Sequence, residues 1–356
     1  MRPFTHRPGR AAGGAATVVL LCAALSGCGA DEPSSAAANP ARTTPVQSAA
    51  DSGQFFAADS VWNQRGDALP VDPASRTLLT QAAKRVGVVD RAGDDAPILE
   101  RRTVTTGLTV NTRRWTTPIV TGGVATRVRC RQAGCGEAVT SLRIPTGVDP
   151  DPRYDGWFTV IEGRKAYDLW RARRERDDTI SYQYLRVWDL DGSGTGKPGE
   201  PSARGSGLPL FAGLIRSSEL DSGTIRHALA ISLPGPAQRR YVRPASTTNG
   251  NGAEGAVPEG ARIRLKPGVR LSASSVNGRS VTRRQQRARD AIVVALRQYG
   301  AIVVDRSVVP TLYAQRGIAP DALVGDELRQ LTLDDFEVTR LGPVLLDPPA
   351  TQEAKP

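Results

Sequence analysis

Glycine and proline interrupt this chain 36 and 26 times in 356 residues, and that punctuation is the strongest limit on its fold. Neither residue sits well inside a helix or strand, so the ordered elements must be short and turn-bounded. Between the breaks lie brief runs of β-branched and aromatic residues. Trp157 to Ile161, then Glu162-Gly163-Arg164-Lys165, then Ala166 to Trp170 reads as two short strands around a glycine-containing turn. Thr179 to Leu190 continues the pattern. Further strands are expected at Ile119 to Val120, Thr224 to Leu233, Tyr241 to Arg243, Ala261 to Leu265 and Ala301 to Asp305. No repeat of solenoid length is visible, and 39 % apolar with 23 % charged residues is ordinary for a globular core.

Two segments depart from the strand pattern. Ser75 to Val86 sets Leu78, Leu79, Ala82 and Ala83 on one face after Asp72-Pro73, which suits a helix start. Arg283 to Tyr299 follows Thr282 as N-cap, repeats Ala288, Ala291, Ile292, Ala295, Leu296 and Tyr299 at helical spacing, and meets Gly300 as its stop. The expected fold class is therefore mainly β, sandwich or jelly-roll-like, with a short N-terminal helix and a long C-terminal amphipathic helix.

The N-terminus reads as an address. Arg2, Arg7 and Arg10 precede an apolar run from Ala15 to Leu25, too short to span a bilayer. The run ends in Leu25-Ser26-Gly27-Cys28, which resembles the lipobox of bacterial lipoproteins. The resemblance implies cleavage after residue 27, a lipid on Cys28 that holds the protein to the membrane, and an extracytoplasmic location. Residues 28–54 are polar, rich in Ala, Ser, Thr and Pro, and read as a flexible tether. A single domain is expected over 55–346, with a disordered tail over 347–356.

Cleavage changes the charge balance. The formal charge of +11 becomes +8 when three arginines and no acid are removed. Outside the membrane the available polyanions are glycans, teichoic acids and lipid headgroups, so acidic or neutral polysaccharide is the expected partner and nucleic acid is not. The same oxidising exterior makes Cys130 and Cys135 the candidates for a small disulfide loop.

Chemistry is sparsely marked. Only two histidines occur, and one is His6 in the signal, which excludes a zinc site of two or three histidines. His227 remains. Alternation from Thr224 to Ile231 places Ile225, His227, Leu229 and Ile231 on one apolar face. Two readings stand there: a proton-transfer group partnered by a carboxylate, or a core histidine held by a backbone carbonyl and a carboxylate. Glu219, Asp221, Asp305, Asp155 and Asp168 are the available carboxylates, with Glu219 and Asp305 the candidates for catalysis beside His227. No Gly-x-Ser-x-Gly elbow occurs, which weighs against a serine hydrolase.

Asp189, Asp191, Ser193, Thr195 and Glu200 are spaced like the ligands of an EF-hand calcium loop, with Gly194 at the sixth position. Gly196 and Pro198 depart from that pattern, so calcium and a solvated turn both stay open. Aromatic and arginine residues concentrate in one region: Trp157, Trp170, Tyr182, Tyr184 and Trp188 with Arg171, Arg173, Arg174 and Arg176. Such a set suits a sugar groove, with rings stacked on pyranose faces and guanidinium groups on carboxylates. The candidate substrate-binding residues are Arg204, Trp62, Asn63, Asp155 and Trp170, with Arg204 facing an acidic sugar.

Residues 55 to 345 also resemble a secreted domain found in actinobacterial-type extracellular proteins. The resemblance rests on Ser60-Val61-Trp62-Asn63, Asp155-Gly156, Ser206-Gly207-Leu208 through Ala212-Gly213, Gly223 through Leu229, Pro244-Ala245, Pro258 through Ala261 and Tyr299-Gly300. It implies that His227 lies in a characteristic segment, and it implies no activity. The expected function is a lipid-anchored envelope protein whose domain binds, and in one version cleaves, a polysaccharide. The alternative is a non-catalytic binding or adhesion module with a structural histidine.

Overall fold

A computed structural model describes residues 54–90, 98–272, 275–276 and 279–347. The signal segment, Cys28, the tether up to residue 53 and the tail from residue 348 lie outside the described residues. All described residues belong to one compact unit. Among them strands outweigh helices, and the strands form several separate sheets.

The largest sheet has six strands in the order Phe336–Val338, Arg262–Leu265, Ala301–Arg306, Leu229–Leu233, Thr311–Tyr313 and Thr109–Asn111. Both of its faces are covered. Leu229, Ile231, Leu233, Ala301 and Val303 pack with α3 (Arg283–Gln298) through Ala288, Ile292, Ala295 and Leu296. Ala230, Ile302 and Val304 pack with Trp62, Leu210 and Phe211 on the opposite side. Each fully buried Leu or Ile contributes about 1.5–3 kcal/mol, which makes this sheet the rigid backing for what lies at its edge.

Helix α3 forms where its spacing predicts. Thr282 Oγ1 accepts the Gln285 N–H at 3.1 Å and Gln285 Oε1 accepts the Thr282 N–H at 2.9 Å, a reciprocal cap. Gly300, at φ 74°, ends it. The helix has 16 residues and lies within the domain rather than at its C-terminus: it leads directly into Ala301–Arg306, which runs parallel to Leu229–Leu233, and strands continue beyond it to Val344–Leu346.

The N-terminal helix is shorter than its apolar pattern suggests. α1 covers Ser75–Ala82, and Lys84–Asp90 is a strand paired with Ile98–Thr103. The β-branched Val86 and the cross-strand pairing prevail over helix continuation there. Thr179 to Leu190 likewise divides. Ile180–Tyr182 runs parallel to Val124–Cys130, whereas Tyr184–Asp189 pairs antiparallel with Lys165–Trp170. These belong to two four-stranded sheets, one ordered Ser141–Ile144, Val124–Cys130, Ile180–Tyr182, Arg173–Arg174, the other Tyr184–Asp189, Lys165–Trp170, Phe158–Glu162, Ile119–Thr121. Val128, Leu142, Phe158, Val160, Leu169 and Leu185 fill the core they share. The Phe158–Trp170 hairpin turns at Gly163, whose φ of 57° costs a glycine little. A disulfide joins Cys130 and Cys135, with Cα atoms 6.1 Å apart.

Candidate functional site

His227 lies just ahead of the strand Leu229–Leu233 and is 1 % exposed. Its Nδ1 is 2.9 Å from the Ala228 carbonyl oxygen and its Nε2 is 2.8 Å from Glu219 Oε1. Glu219 belongs to the short helix α2 (Ser217–Ser222), which Gly223 closes at φ 71°. The Glu219 carboxylate also accepts the Arg216 backbone N–H at 2.9 Å and the Arg216 Nη2 at 2.6 Å. Burial pushes the Glu219 pKa up, but the charges of His227 and Arg216 outweigh it and hold the group at about 2. The arrangement fits a core histidine satisfied by a carbonyl and a carboxylate.

The cleft of the molecule is elsewhere. A depression of about 880 Å³ opens at the edge of the six-stranded sheet, and Trp115, Trp157, Trp170, Arg171, Arg204 and Asp305 are among its walls. Neither His227 nor Glu219 lines it. At its floor the Arg204 guanidinium lies 3.4 Å from the Trp157 ring centroid and 4.9 Å from that of Tyr313. Both rings are themselves held: Trp157 Nε1 donates to the Ala203 carbonyl at 2.9 Å, and the Tyr313 hydroxyl pairs with Ser232 Oγ at 2.5 Å. Arg204 Nη1 donates to Asp305 Oδ2 at 2.9 Å and Nη2 to the Trp115 carbonyl at 3.1 Å. Its Nε has no hydrogen-bond partner among the described residues.

A β-bulge aims Asp305. Along the parallel pair, Ile302 stands beside Ala230 and Val303 beside Ile231, but Asp305 stands beside Ser232. The extra residue moves Asp305 to the Ser232 and Tyr313 side, away from α3. There its Oδ1 accepts Asn249 Nδ2 at 2.8 Å and the Arg306 N–H at 2.8 Å. With Arg204 on the other oxygen, Asp305 is a holder of donors rather than a free proton acceptor. Behind it Glu259 is fully buried and accepts the Asn249 N–H at 3.1 Å. Burial first, and then the charge of Asp305, pushes Glu259 up to about 8. Asp168, in the second strand of the hairpin, accepts Thr159 Oγ1 at 3.1 Å, and burial raises it to about 7.

Backbone strain gathers at the same place. Six non-glycine residues among those described have positive φ, and Trp115 (50°), Asp155 (62°) and Arg171 (49°) all line the cleft. A tryptophan in that region is a steric outlier, and such residues persist where the surrounding structure holds them. The Arg171 N–H donates to the Asp155 carbonyl at 2.8 Å, and a Cβ on Gly156 would stand 2.3 Å from the Ala172 carbonyl oxygen. Close backbone approach thus pins Asp155 and Arg171 side by side. Arg171 lies over Trp170, 4.7 Å from its ring centroid.

Of the candidate sugar-binding residues, Arg204, Asp155 and Trp170 meet in this cleft, and Asp305 joins them. Trp62 and Asn63 do not. Trp62 is 1 % exposed in the core, and the Asn63 amide donates to the carbonyls of Phe55 at 2.8 Å and Ala57 at 2.9 Å, bracing the entry to the domain. Among the aromatic residues of the hairpin region, Trp157, Tyr182 and Trp188 are buried, because a sheet needs large residues on its inner side. Trp115, Asn249, Asn251 and Tyr313 enter from segments that carry no distinguishing motif.

The calcium-like loop does not gather its ligands. Asp191 pairs with Arg164 at 2.6 Å, Asp189 accepts the Asp191 N–H at 2.9 Å, and Ser193 and Thr195 bond each other at 2.9 Å. Glu200 pairs with Arg186 at 2.6 Å and accepts the Lys197 N–H at 2.7 Å. Among the described residues no group of three or more His, Cys, Asp or Glu side chains is placed to hold a metal ion. No helix among them is long and apolar enough to cross a membrane.

Comparison with models of known protein families, with characterised proteins and with solved structures finds no match to this chain.

Proposed function

We propose that this protein is a lipid-anchored protein of the cell envelope, held at the extracytoplasmic face through Cys28, whose β-sandwich-like domain binds a polysaccharide in the cleft around Arg204. One observation carries the reading: three tryptophans and an immobilised arginine converge on one open depression, with strained backbone at three of its walls. Flat rings offer faces for pyranose rings, while asparagine, aspartate and arginine offer hydrogen bonds to hydroxyl groups. Asp305, Trp157 and Tyr313 fix Arg204 before any ligand arrives, which lowers the ordering cost of binding.

Binding is favoured over cleavage. Hydrolysis by paired carboxylates needs two of them free at the bond. Of the two acids in the cleft, Asp305 is committed to Arg204, Asn249 and the Arg306 N–H, which leaves Asp155. His227, the only histidine left after signal removal, is sealed in the core with Glu219. The domain accordingly acts as a recognition module.

Calorimetric titration with a panel of acidic and neutral oligosaccharides tests the cleft. At least one binds wild type, and Trp157→Ala abolishes that binding. Absence of binding across the panel, or binding unchanged in the variant, overturns the reading. The anchor has its own test: Cys28→Ser moves the protein from the membrane fraction to the soluble fraction, and a variant that stays with the membrane overturns the lipid.

A further inference from the structure

An arginine-bearing sheet face adjoins the cleft at Arg171. In the sheet containing Val124–Cys130, the inner residues Val128, Leu142, Ile144, Ile180 and Tyr182 belong to the core. The outward positions carry arginine instead. Arg129 and Arg173 flank Ser181 from the two neighbouring strands, Arg127 stands opposite Ser141, and Arg143 stands opposite Ala125. Arg127, Arg129, Arg143 and Arg173 are exposed.

Arg131 links this face to the cleft. Its Nη1 donates to Ser181 Oγ at 2.7 Å, and its Nη2 donates to the carbonyl of Arg171, itself a cleft wall. Burial, followed by the charge of Arg173, lowers the Arg131 pKa, and Arg129 and Arg171 add to it, so these guanidinium groups crowd one another. Glu175, paired with Arg173 at 2.9 Å, and the exposed Asp177 offset part of the charge. Arg127, Arg129 and the Arg143 guanidinium form no ion pair among the described residues. Successive outward positions on a strand are about 6.8 Å apart, so the face offers a row of cations rather than one point.

Resting on the cleft reading, we propose that this face is a track that extends the cleft and binds the continuing chain of a carboxylate-bearing polysaccharide. The cleft takes a few sugars against Trp115, Trp170 and Arg171. The chain leaving past Arg171 then lays its carboxylates along Arg129, Arg127 and Arg143. Planar guanidinium groups match carboxylates, and several weak exposed contacts on one chain add without a second ordering cost as large as the first. Continuity with the cleft favours a glycan over a membrane surface, because a flat bilayer cannot enter the depression beside Arg171.

The test compares long chains and trimers of polygalacturonate, alginate and hyaluronan, binding to wild type and to the triple variant Arg127→Gln, Arg129→Gln, Arg143→Gln. All three sites are exposed, so the variant should keep the wild-type Tm. Wild type is expected to bind at least one long chain about tenfold more tightly than its trimer, as three exposed charge contacts would give. The triple variant is expected to lose that tenfold and to bind the trimer as wild type does. Equal affinity for chain and trimer, or a variant that retains the difference, overturns the track while leaving the cleft standing. A variant that loses binding only to anionic phospholipid vesicles also overturns it, in favour of a membrane surface. Failure of wild type to bind either length overturns the cleft itself, and the track with it.

Discussion

Arg216 with Glu219 and Arg204 with Asp305 are the same chemical pair in two settings, at 2.6 Å and 2.9 Å. Glu219 is surrounded by His227, the Arg216 side chain and the Arg216 N–H, and both side chains of the ion pair are almost inaccessible. Asp305 also meets three donors, and its arginine, as inaccessible as Arg216, is clasped between two aromatic rings in the wall of the cleft. Buried charge needs partners in either place. What differs is the place in the molecule: Arg204 and Asp305 line the cleft, and His227, Glu219 and Arg216, whose guanidinium lies over Phe55, do not. On the function proposed above, that difference separates a structural histidine from a recognition site.

The largest expected effect breaks the closed member of this comparison. Glu219→Ala leaves Arg216 and His227 buried without their shared carboxylate and should cost about 3–5 kcal/mol in denaturant unfolding, with ligand affinity of the folded fraction unchanged. A loss below about 1 kcal/mol would mean that the group is not sealed. Next, Arg204→Lys keeps a charge near Asp305 but loses the planar stack and the second donor. We expect a stability loss of about 1–2 kcal/mol and at least a tenfold loss of oligosaccharide affinity. If stability falls and affinity does not, Arg204 belongs with the structural pair.

Trp170→Ala should lower affinity about tenfold, roughly 1.4 kcal/mol, and leave the Tm nearly unchanged, since Trp170 is half-buried at the wall. Titration of stability with pH sharpens the contrast further. Glu259 binds its proton more tightly folded than unfolded, so stability falls as pH rises from its ordinary 4.5 to about 8. Asp168 does the same from 3.8 to about 7. Glu219 has the opposite sign: its contribution is complete above 4.5 and is lost as pH falls toward about 2. Glu259→Gln should therefore abolish the decline between about pH 7 and 8, at most about 1.4 kcal/mol, and spare the acid limb. A decline that survives the substitution would show that another group carries it. The smallest expected effect is none at all: chelator or added calcium should leave the Tm unchanged, because the carboxylates of the Asp189 to Glu200 loop are engaged by Arg164, Arg186 and backbone N–H groups. A calcium-dependent rise would restore that site.

Local patterns were legible where neighbours in sequence are also neighbours in space. The hairpin closing at Gly163, α3 with its Thr282 cap and Gly300 stop, and the Cys130–Cys135 loop all depend on residues a few positions apart. His227 is buried among apolar neighbours in sequence, but alternation does not place it, since the strand begins only at Leu229. Patterns misled where a partner elsewhere decided the outcome. Lys84–Asp90 became a strand because Ile98–Thr103 pairs with it, and one aromatic run was shared between two sheets. Three of the five residues read from the sequence as substrate-binding, Arg204, Asp155 and Trp170, line the cleft. Trp62, read the same way, proved to be core.

The sequence by itself determined that this chain would build short, turn-bounded strands around an interior of ordinary size, and that histidine chemistry in the domain could rest on His227 alone. Its glycines and prolines act through backbone sterics, which are local. Only the tertiary structure decided where the cleft lies. Strict alternation would have turned Asp305 with Val303 toward α3; one extra residue in the register sends it to Arg204 instead. The left-handed backbone at Trp115 and Arg171, unlike that at Asp155, has no signature in residue type, because its cost is offset by contacts made elsewhere in the fold.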